Sequence, residues 1–438
     1  MRAPKGLPRR RDGAPRGPDL TAWYTHPGAL FLGGNQVRLL VGGDELFPAM
    51  IQAIEAARHD VWLATYIFHD DDAARVVADT LAAAGRRGVR VRVVVDGFGT
   101  RTQLAALRRW WEGEPVALAV FRPMDRWYAW LQPGQFRRLH QKLCVVDGEV
   151  AFVGGINIID DRIDLRHGLD PMPRLDFAVE LRGPVVLPVE QTARAMWTRA
   201  AFGHDWREEV RLLAHSARPV QQAHGLLKRL RIQPKVDALM PGVLDPAPVR
   251  AAFVVRDNLR QRSAIERSYV DAFRMARHRI DLVCPYFYPG RVFRRTLREA
   301  CRRGVKVRLL LQGKLDYRIA GLAASVLYDE LLSHGVRIFE YTPAFLHAKV
   351  AIVDDDWATV GSSNIDPLSL LLNLEANAIV SDPGFNHELT THFEQALAVS
   401  REVTQAPAGR GWWGTVRRAL VAWGALLYLR LAGITRPY

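Results

Sequence analysis

Two stretches of this chain carry one pattern, and a pattern used twice constrains the fold more than any composition can. LHQKLCVVDGEVAFVGGIN contains His140, Lys142, Asp147, Gly154, Gly155 and Asn157; LHAKVAIVDDDWATVGSSN contains His347, Lys349, Asp354, Gly361, Ser362 and Asn364. The spacing is the same in both: His-x-Lys, four residues, Asp, six residues, Gly-Gly or Gly-Ser, one residue, Asn. Chance does not supply so many companions twice. The residues kept suit phosphoryl chemistry: a nucleophile or acid, a cation, and neutral donors beside a glycine turn. The residues that vary between the copies are core apolars.

The repetition extends outward. ARHDVWLATYIF (57–68) is answered by ARHRIDLVCPYF (276–287), and GRRGVRVRVVVDG (85–97) by CRRGVKVRLLLQG (301–313). Each is an apolar, β-branched strand pattern beside an amphipathic helix, 73–84 in the first half and 292–303 in the second. This rhythm predicts an α/β fold of two homologous lobes, each a mixed sheet flanked by helices, facing one another about a pseudo-twofold axis. In each lobe a strand, 142–146 or 349–353, carries His and Lys at its start on one face, because residues i and i+2 share a face. The twofold then gathers two His, two Lys and two Asn around one phosphate, with the Gly154–Gly155 and Gly361–Ser362 turns offering backbone N–H groups to its oxygens.

The doubled motif resembles the phospholipase D superfamily, and within it residues 36–402 resemble bacterial cardiolipin synthases of the short type, which lack N-terminal transmembrane helices. The resemblance extends to LATYIFHDDDAA, GVRVRVVVDGFGT, LDFAVELRGP and SNIDPLSLLLNLEANAIV. It implies a phosphatidyltransferase working through a phosphohistidine. One imidazole attacks the phosphodiester and the other protonates the departing alcohol; a second hydroxyl then reverses the sequence. The resemblance favours His140 as nucleophile and His347 as acid. Lys142, Lys349, Asn157 and Asn364 would stabilise charge on the phosphoryl oxygens without metal or cofactor. The family pattern also puts an acidic residue after each motif to fix a histidine tautomer, here Asp176 and Glu375. Asp147 and Asp354 belong to the signature, yet each precedes a tight turn, so both a catalytic and a turn-capping role stay open.

Formal net charge is +14, which predicts an anionic partner and leaves nucleic acid and anionic membrane both standing. Cys144, Cys284 and Cys301 show no metal or redox spacing and read as reduced structural thiols. Residues 1–35 read as a basic disordered tail with no apolar core for a signal peptide, either a solvated leader or a tether to acidic headgroups. Residues 36–205 and 251–402 are the lobes, joined by a linker at 206–250. The stretch 121–139 interleaves Arg122, Arg126, Arg137 and Arg138 with Phe121, Trp127, Tyr128, Trp130 and Phe136; it suits stacked bases, a membrane interface or packing on the lobe. Residues 403–438 carry Trp412, Trp413 and Trp423 with an uncharged run from Ala419 to Leu429. That run falls short of the roughly 20 residues a bilayer span needs. An interfacial or re-entrant helix is the better reading, with Arg417, Arg418 and Arg430 at the phosphates.

With the resemblance, these features imply a peripheral enzyme on the cytoplasmic face of the inner membrane, with phosphatidylglycerol or another phospholipid as donor, the hydroxyl of a second phospholipid or a plain alcohol as acceptor, and no nucleic-acid partner. The competing expectation is a phospholipase D-type phosphodiesterase that hydrolyses phospholipid or nucleic acid with the same histidines.

Overall fold

In the first half, the apolar runs at 60–65, 143–146 and 150–154 become strands buried along their length. The first half contains β1 (Leu32–Val41), α1 (Gly42–Glu55), β2 (Asp60–Thr65), α2 (Asp72–Arg86), β3 (Arg90–Asp96), α3 (Leu104–Trp110), β4 (Val116–Phe121), β5 (Leu143–Val146) and β6 (Val150–Gly154). A short hairpin, β7 (Ile163–Asp164) and β8 (Gly168–Leu169), then precedes β9 (Phe177–Arg182) and α4 (Val186–Gly203). The second half repeats the plan with β10 (Val249–Arg256), α5 (Ala264–Met275), β11 (Arg279–Cys284), α6 (Arg291–Arg302), β12 (Lys306–Gln312) and β13 (Arg337–Tyr341). It closes with β14 (Val350–Val353), β15 (Trp357–Gly361), β16 (Glu375–Ser381), α7 (Pro383–Ala398) and β17 (Arg401–Val403). This computed structural model describes residues 28–124, 137–165, 168–203, 249–257, 261–314, 327–366, 369 and 373–404.

Local chemistry explains the helix starts. Asp71 caps α2 by accepting from the Ala74 N–H at 2.8 Å, and Asp382 caps α7 by accepting from Phe385 N–H at 2.8 Å with Pro383 at the first turn. The parallel triplets β2–β3–β4 and β11–β12–β13 have both faces covered, as their continuous Val and Leu runs require.

Strand order displays the repeat. The first half runs β1-β9-β6-β5-β2-β3-β4 and the second β10-β16-β15-β14-β11-β12-β13-β17. The halves join edge to edge through an antiparallel β1–β10 pairing, so 15 strands form one continuous ladder. At that joint β1 shifts register between Leu32 and Asn35. Gly34 there adopts a φ of 73°, which a side chain would strain. Buried Asn35 clasps the junction: its amide N–H donates to Leu32 O at 2.6 Å and Val249 O at 3.3 Å, and its oxygen accepts from Val185 N–H at 2.9 Å.

The core is layered accordingly. Helices α1 and α2 cover the outer face of the first half-sheet and α5 and α6 that of the second. A third cluster lies between, joining Val186, Val189 and Met196 of α4 and Phe385, Leu389 and Phe393 of α7 to strands of both halves. The lobes therefore share a core as well as a ladder edge. Cys144 and Cys284 are buried thiols that burial pushes up to about 12, in keeping with inert structural residues.

β1 starts at Leu32, four residues before the expected lobe boundary at 36, because Gly33-Gly34 interrupts the β-branched pattern that marks a strand. β10 starts at Val249, two residues before the boundary expected at 251. Most of the expected tail (1–27), of the aromatic loop (125–136) and of the linker (204–248), and the tryptophan-rich segment from 405 onward, lie outside the described residues. Among the described residues no helix is long and apolar enough to cross a membrane.

Candidate active site

The site is assembled where the two half-sheets meet. In the first lobe the carboxylate ending β3, Asp96, accepts the Leu139 N–H at 2.9 Å; in the second the amide ending β12, Gln312, accepts the Leu346 N–H at 3.3 Å. Each thereby fixes the residue just before a motif histidine. Leu139 pairs with Leu374 and Leu346 with Leu175 as isolated parallel bridges, and His140 N–H donates to Leu374 O and His347 N–H to Leu175 O, both at 2.9 Å. Every histidine segment is thus zipped to the acid-bearing segment of the opposite lobe.

The side chains follow the backbone. His140 Nδ1 lies 3.0 Å from Glu375 Oε2, and His347 Nδ1 lies 2.6 Å from Asp176 Oδ2. Sequence order sets each acid behind its own motif; the fold exchanges them. Both carboxylates are buried, which raises their pKa. The charges of His140 and Lys142 on Glu375, and of Lys349 and His347 on Asp176, more than reverse that and hold them ionised. An ionised carboxylate only accepts, so each imidazole donates from Nδ1 and keeps a lone pair on Nε2 when neutral.

Lys142 and Lys349 are buried at the starts of β5 and β14, and their ammonium groups donate to the carbonyls of His140, at 2.8 Å, and His347. Burial lowers Lys142 to about 7, opposed by Glu375 and reinforced by repulsion from Lys349; burial lowers Lys349 to about 8. Burial also lowers His140, and takes His347, with repulsion from Lys349, to about 3. Four groups that carry positive charge when protonated are therefore crowded and desolvated together. An anion among them is what would restore their protons.

Asn157 and Asn364 are buried in the same region. Asn157 Oδ1 accepts the Ile67 N–H at 3.2 Å, tying the segment after β2 to the site, whereas Asn364 Oδ1 is buried with no hydrogen-bond partner among the described residues.

One expectation needs correction, and for Asp147 and Asp354 the geometry fits one of the two roles left open. The turn N–H groups are spent on neighbouring strands: Gly154 donates to Lys142 O, Gly155 to Phe177 O, Gly361 to Lys349 O and Ser362 to Ala376 O. They do not cradle a phosphate. Gly155 instead makes room, since a Cβ there would sit 2.3 Å from Asp176 Oδ1. Ser362, its counterpart, donates its hydroxyl to Glu375 Oε2 at 2.6 Å. Asp147 and Asp354 stand at the far ends of β5 and β14, away from the histidines. With φ of 53° and 50° they turn their carboxylates onto three successive backbone N–H groups each, Arg58 to Asp60 and Arg277 to Arg279. Their conservation between the copies is therefore that of a clamp on the start of β2 and β11, not of a reacting group.

Sequence reasoning missed four neighbours. Asp96 and Gln312 occupy one position in the two repeats, a polar residue ending an apolar strand, and that coincidence was the available signal. Tyr66, whose ring centroid is 4.9 Å from that of His140, aligns with Pro285 and left none. Arg256, buried and paired in register with Glu375 at the end of β10, likewise has no basic counterpart in the first lobe. Among the described residues no three His, Cys, Asp or Glu side chains gather as a metal site.

Comparison with known proteins follows the same lines. The family described as "Cardiolipin synthase, PLD-like domain" matches residues 50–169 and 269–397, one span in each lobe. Cardiolipin synthase B of Escherichia coli K12 is 33% identical over 428 residues, covering 92% of this chain and 94% of that protein. Cardiolipin synthase A of Pseudomonas putida is 32% identical over 379 residues, covering 85% of this chain and 71% of that protein. The crystal structure of the phosphatidylserine synthase of Haemophilus influenzae superposes with a TM-score of 0.63 at 14% identity, covering 95% of this chain and 99% of that one, a likeness of fold. With two phospholipase D-like halves closing one site between them, and relatives aligned across nearly its whole length, the chain belongs to the cardiolipin synthase family of phospholipase D-like proteins.

Proposed function

We propose that the protein is a cardiolipin synthase-type phosphatidyltransferase. The observation that carries this reading is the exchange of histidine and acid between lobes, which gives one centre with two imidazoles of like tautomer and two lysines. Phosphatidylglycerol is the donor. Nε2 of His140 attacks its phosphorus, and the bond to the glycerol oxygen breaks as His347 gives that oxygen a proton. The hydroxyl of a second phosphatidylglycerol then loses its proton to His347 and displaces His140 from phosphorus, so two phosphatidylglycerols become one cardiolipin and one glycerol.

The surroundings favour this division of labour. Glu375 accepts from Ser362 as well as His140, so its charge is shared between two donors, and burial itself favours the neutral, nucleophilic form of His140. Asp176 gives His347 the shorter contact and supports the imidazolium an acid requires. Burial, with repulsion from Lys349, keeps His347 deprotonated in the empty site, and a phosphodiester anion beside Lys349 offsets the repulsion. Lys142, Lys349 and the Nδ2 groups of Asn157 and Asn364 stabilise the phosphoryl oxygens. The enzyme acts as a peripheral protein on the cytoplasmic face of the membrane, where its lipid substrate resides.

The test is incubation of purified protein with phosphatidylglycerol vesicles, followed by mass spectrometry of lipid and aqueous phases. Cardiolipin and glycerol in equal amounts are expected. Phosphatidic acid with no cardiolipin would replace transfer by hydrolysis.

A further inference from the structure

The first lobe carries an element the second lacks room for. Nineteen residues separate Asn157 from Asp176, against eleven between Asn364 and Glu375. The extra length folds as the β7–β8 hairpin, with Ile163 opposite Leu169. It rises from the rim of the site, since its far end returns through Arg174 to Asp176, the partner of His347. It is tied down on both lobes. Buried Asp161 accepts the Gly43 N–H at 2.5 Å, Arg174 donates to Ile163 O at 2.7 Å, and Asp170 meets Lys314 of the second lobe at 2.8 Å.

Those contacts engage Asp161, Asp170 and Arg174, while three apolar side chains of the segment stay exposed. Leu165 is 52% exposed, Leu169 79% and Met172 49%, three of the eight large apolar residues exposed among the described residues, all within eight positions. Met172 is set rigidly, between Pro171 and Pro173, with its N–H on Asp170 Oδ1 at 3.2 Å. Leu169 lies opposite Ile163 in the ladder and shares its face. A further exposed apolar side chain, Phe98, stands on the His140 side, against Arg138 at 5.3 Å. Water gains nothing from such a cluster, and an exposed apolar patch at the mouth of a site marks a contact surface.

We infer that this hairpin is a membrane-contacting lip: Leu165, Leu169 and Met172 enter the acyl boundary of a phospholipid bilayer and bring the mouth of the site against the headgroups. The choice of a bilayer as occupant rests on the lipid reading of the site. It is supported by the chain's net positive charge of +14, which complements an anionic surface, and by the attachment of the hairpin to Asp176. A lipid whose phosphate must reach buried histidines has to rise partly out of its leaflet, and a rigid apolar lip beside them shortens that path.

Full-length Leu165→Ser/Leu169→Ser, Leu169→Trp and the control Val76→Ser/Met275→Ser, whose residues are equally exposed but distant in sequence from the site, separate the outcomes. Flotation with phosphatidylglycerol vesicles and turnover of vesicles against a soluble short-chain phosphatidylglycerol are the readouts. The hairpin serines should weaken vesicle binding about tenfold, as loss of interfacial leucines predicts. Turnover of the soluble substrate should be kept. Leu169→Trp should tighten vesicle binding, a gain that misfolding cannot imitate, and the control should match wild type. Wild-type flotation by the serine variant, or an equal loss in the control, overturns the proposal. If wild type floats and the serine variant does not, while no cardiolipin forms, the surface stands and the proposed reaction fails.

Discussion

The two lobes use one motif and support it differently. The acid meeting His140 is a glutamate that also receives a serine hydroxyl and is paired in register with a buried arginine; the acid meeting His347 is an aspartate packed against a glycine. The substitutions are correlated by size. Asp176 is one methylene shorter and needs the space Gly155 leaves, whereas the longer Glu375 is steadied by Ser362. Behind them an ionisable Asp96, which burial pushes up to about 6 against Arg138, is matched by neutral Gln312. A duplicated frame thus supplies the position of each imidazole, and the neighbours supply its electrical surroundings.

The largest test of that contrast is removal of each imidazole. His140→Ala and His347→Ala should each lower cardiolipin formation by about 10³-fold or more, because nucleophile and proton donor are both lost to no substitute. Their difference appears with a phosphatidyl ester of p-nitrophenol, which leaves without a proton: His347→Ala should keep a burst of nitrophenol and His140→Ala should show none. The reverse pattern would swap the roles.

Exchanging the orienting carboxylates comes next. Asp176→Asn and Glu375→Gln should each cost about 10–100-fold in kcat with little change in KM, the usual cost of losing a group that fixes a histidine tautomer. Since the partners are crossed, Asp176→Asn should resemble a mild His347 variant in the burst assay and Glu375→Gln a mild His140 variant. Pairing by sequence order predicts the opposite.

The pH dependence is expected to be of smaller range. Lys142 and Lys349 are lowered by burial to about 7 and about 8 in the empty site, and each is charged only below its own value. kcat/KM, which reports free enzyme, should therefore fall as pH rises through about 7 and more steeply beyond 8, while kcat, measured with the anion bound, should fall at higher pH. A flat kcat/KM from pH 6 to 9 would remove the lysines from substrate capture.

The smallest effect on chemistry should come from Asp147→Ala and Asp354→Ala. Each strips three N–H groups of their acceptor, so stability should drop by about 1–3 kcal/mol in urea unfolding. Folded protein at low temperature should keep kcat within about threefold, because a clamp on β2 or β11 touches the site only through the strand. A thousandfold loss in kcat with unchanged stability would return these residues to the catalytic set.

The doubled phrase made the two lobes and the histidine-lysine pairs readable, because identical spacing is visible without coordinates. The direction of the histidine-acid pairing was not, since it depends on the bridges Leu139–Leu374 and Leu175–Leu346, which link residues more than 150 positions apart and leave no local pattern. Motif membership did not decide roles. Asp147 and Asp354 recur because a repeated turn needs them, and Gly154 and Gly361 because the neighbouring strand leaves no room for a Cβ, so recurrence alone does not separate a group that reacts from one that shapes the strand ends. The β1–β10 joint was hidden for a related reason: Gly33-Gly34 lowers the strand signal at the place where the ladder is spliced.

The crossed pairing also sets a clock on synthesis. His140 and its acid lie 235 residues apart, so at 5–20 residues per second His140 is made roughly 10–50 s before Glu375 exists. Throughout that interval His140 has no partner to hold its tautomer, and Asp176 likewise waits for His347, 171 residues further on. On the proposed mechanism a half-made chain has the nucleophile without the acid that orients it and without the proton donor, so cleavage and transfer become available together, only once both lobes are made.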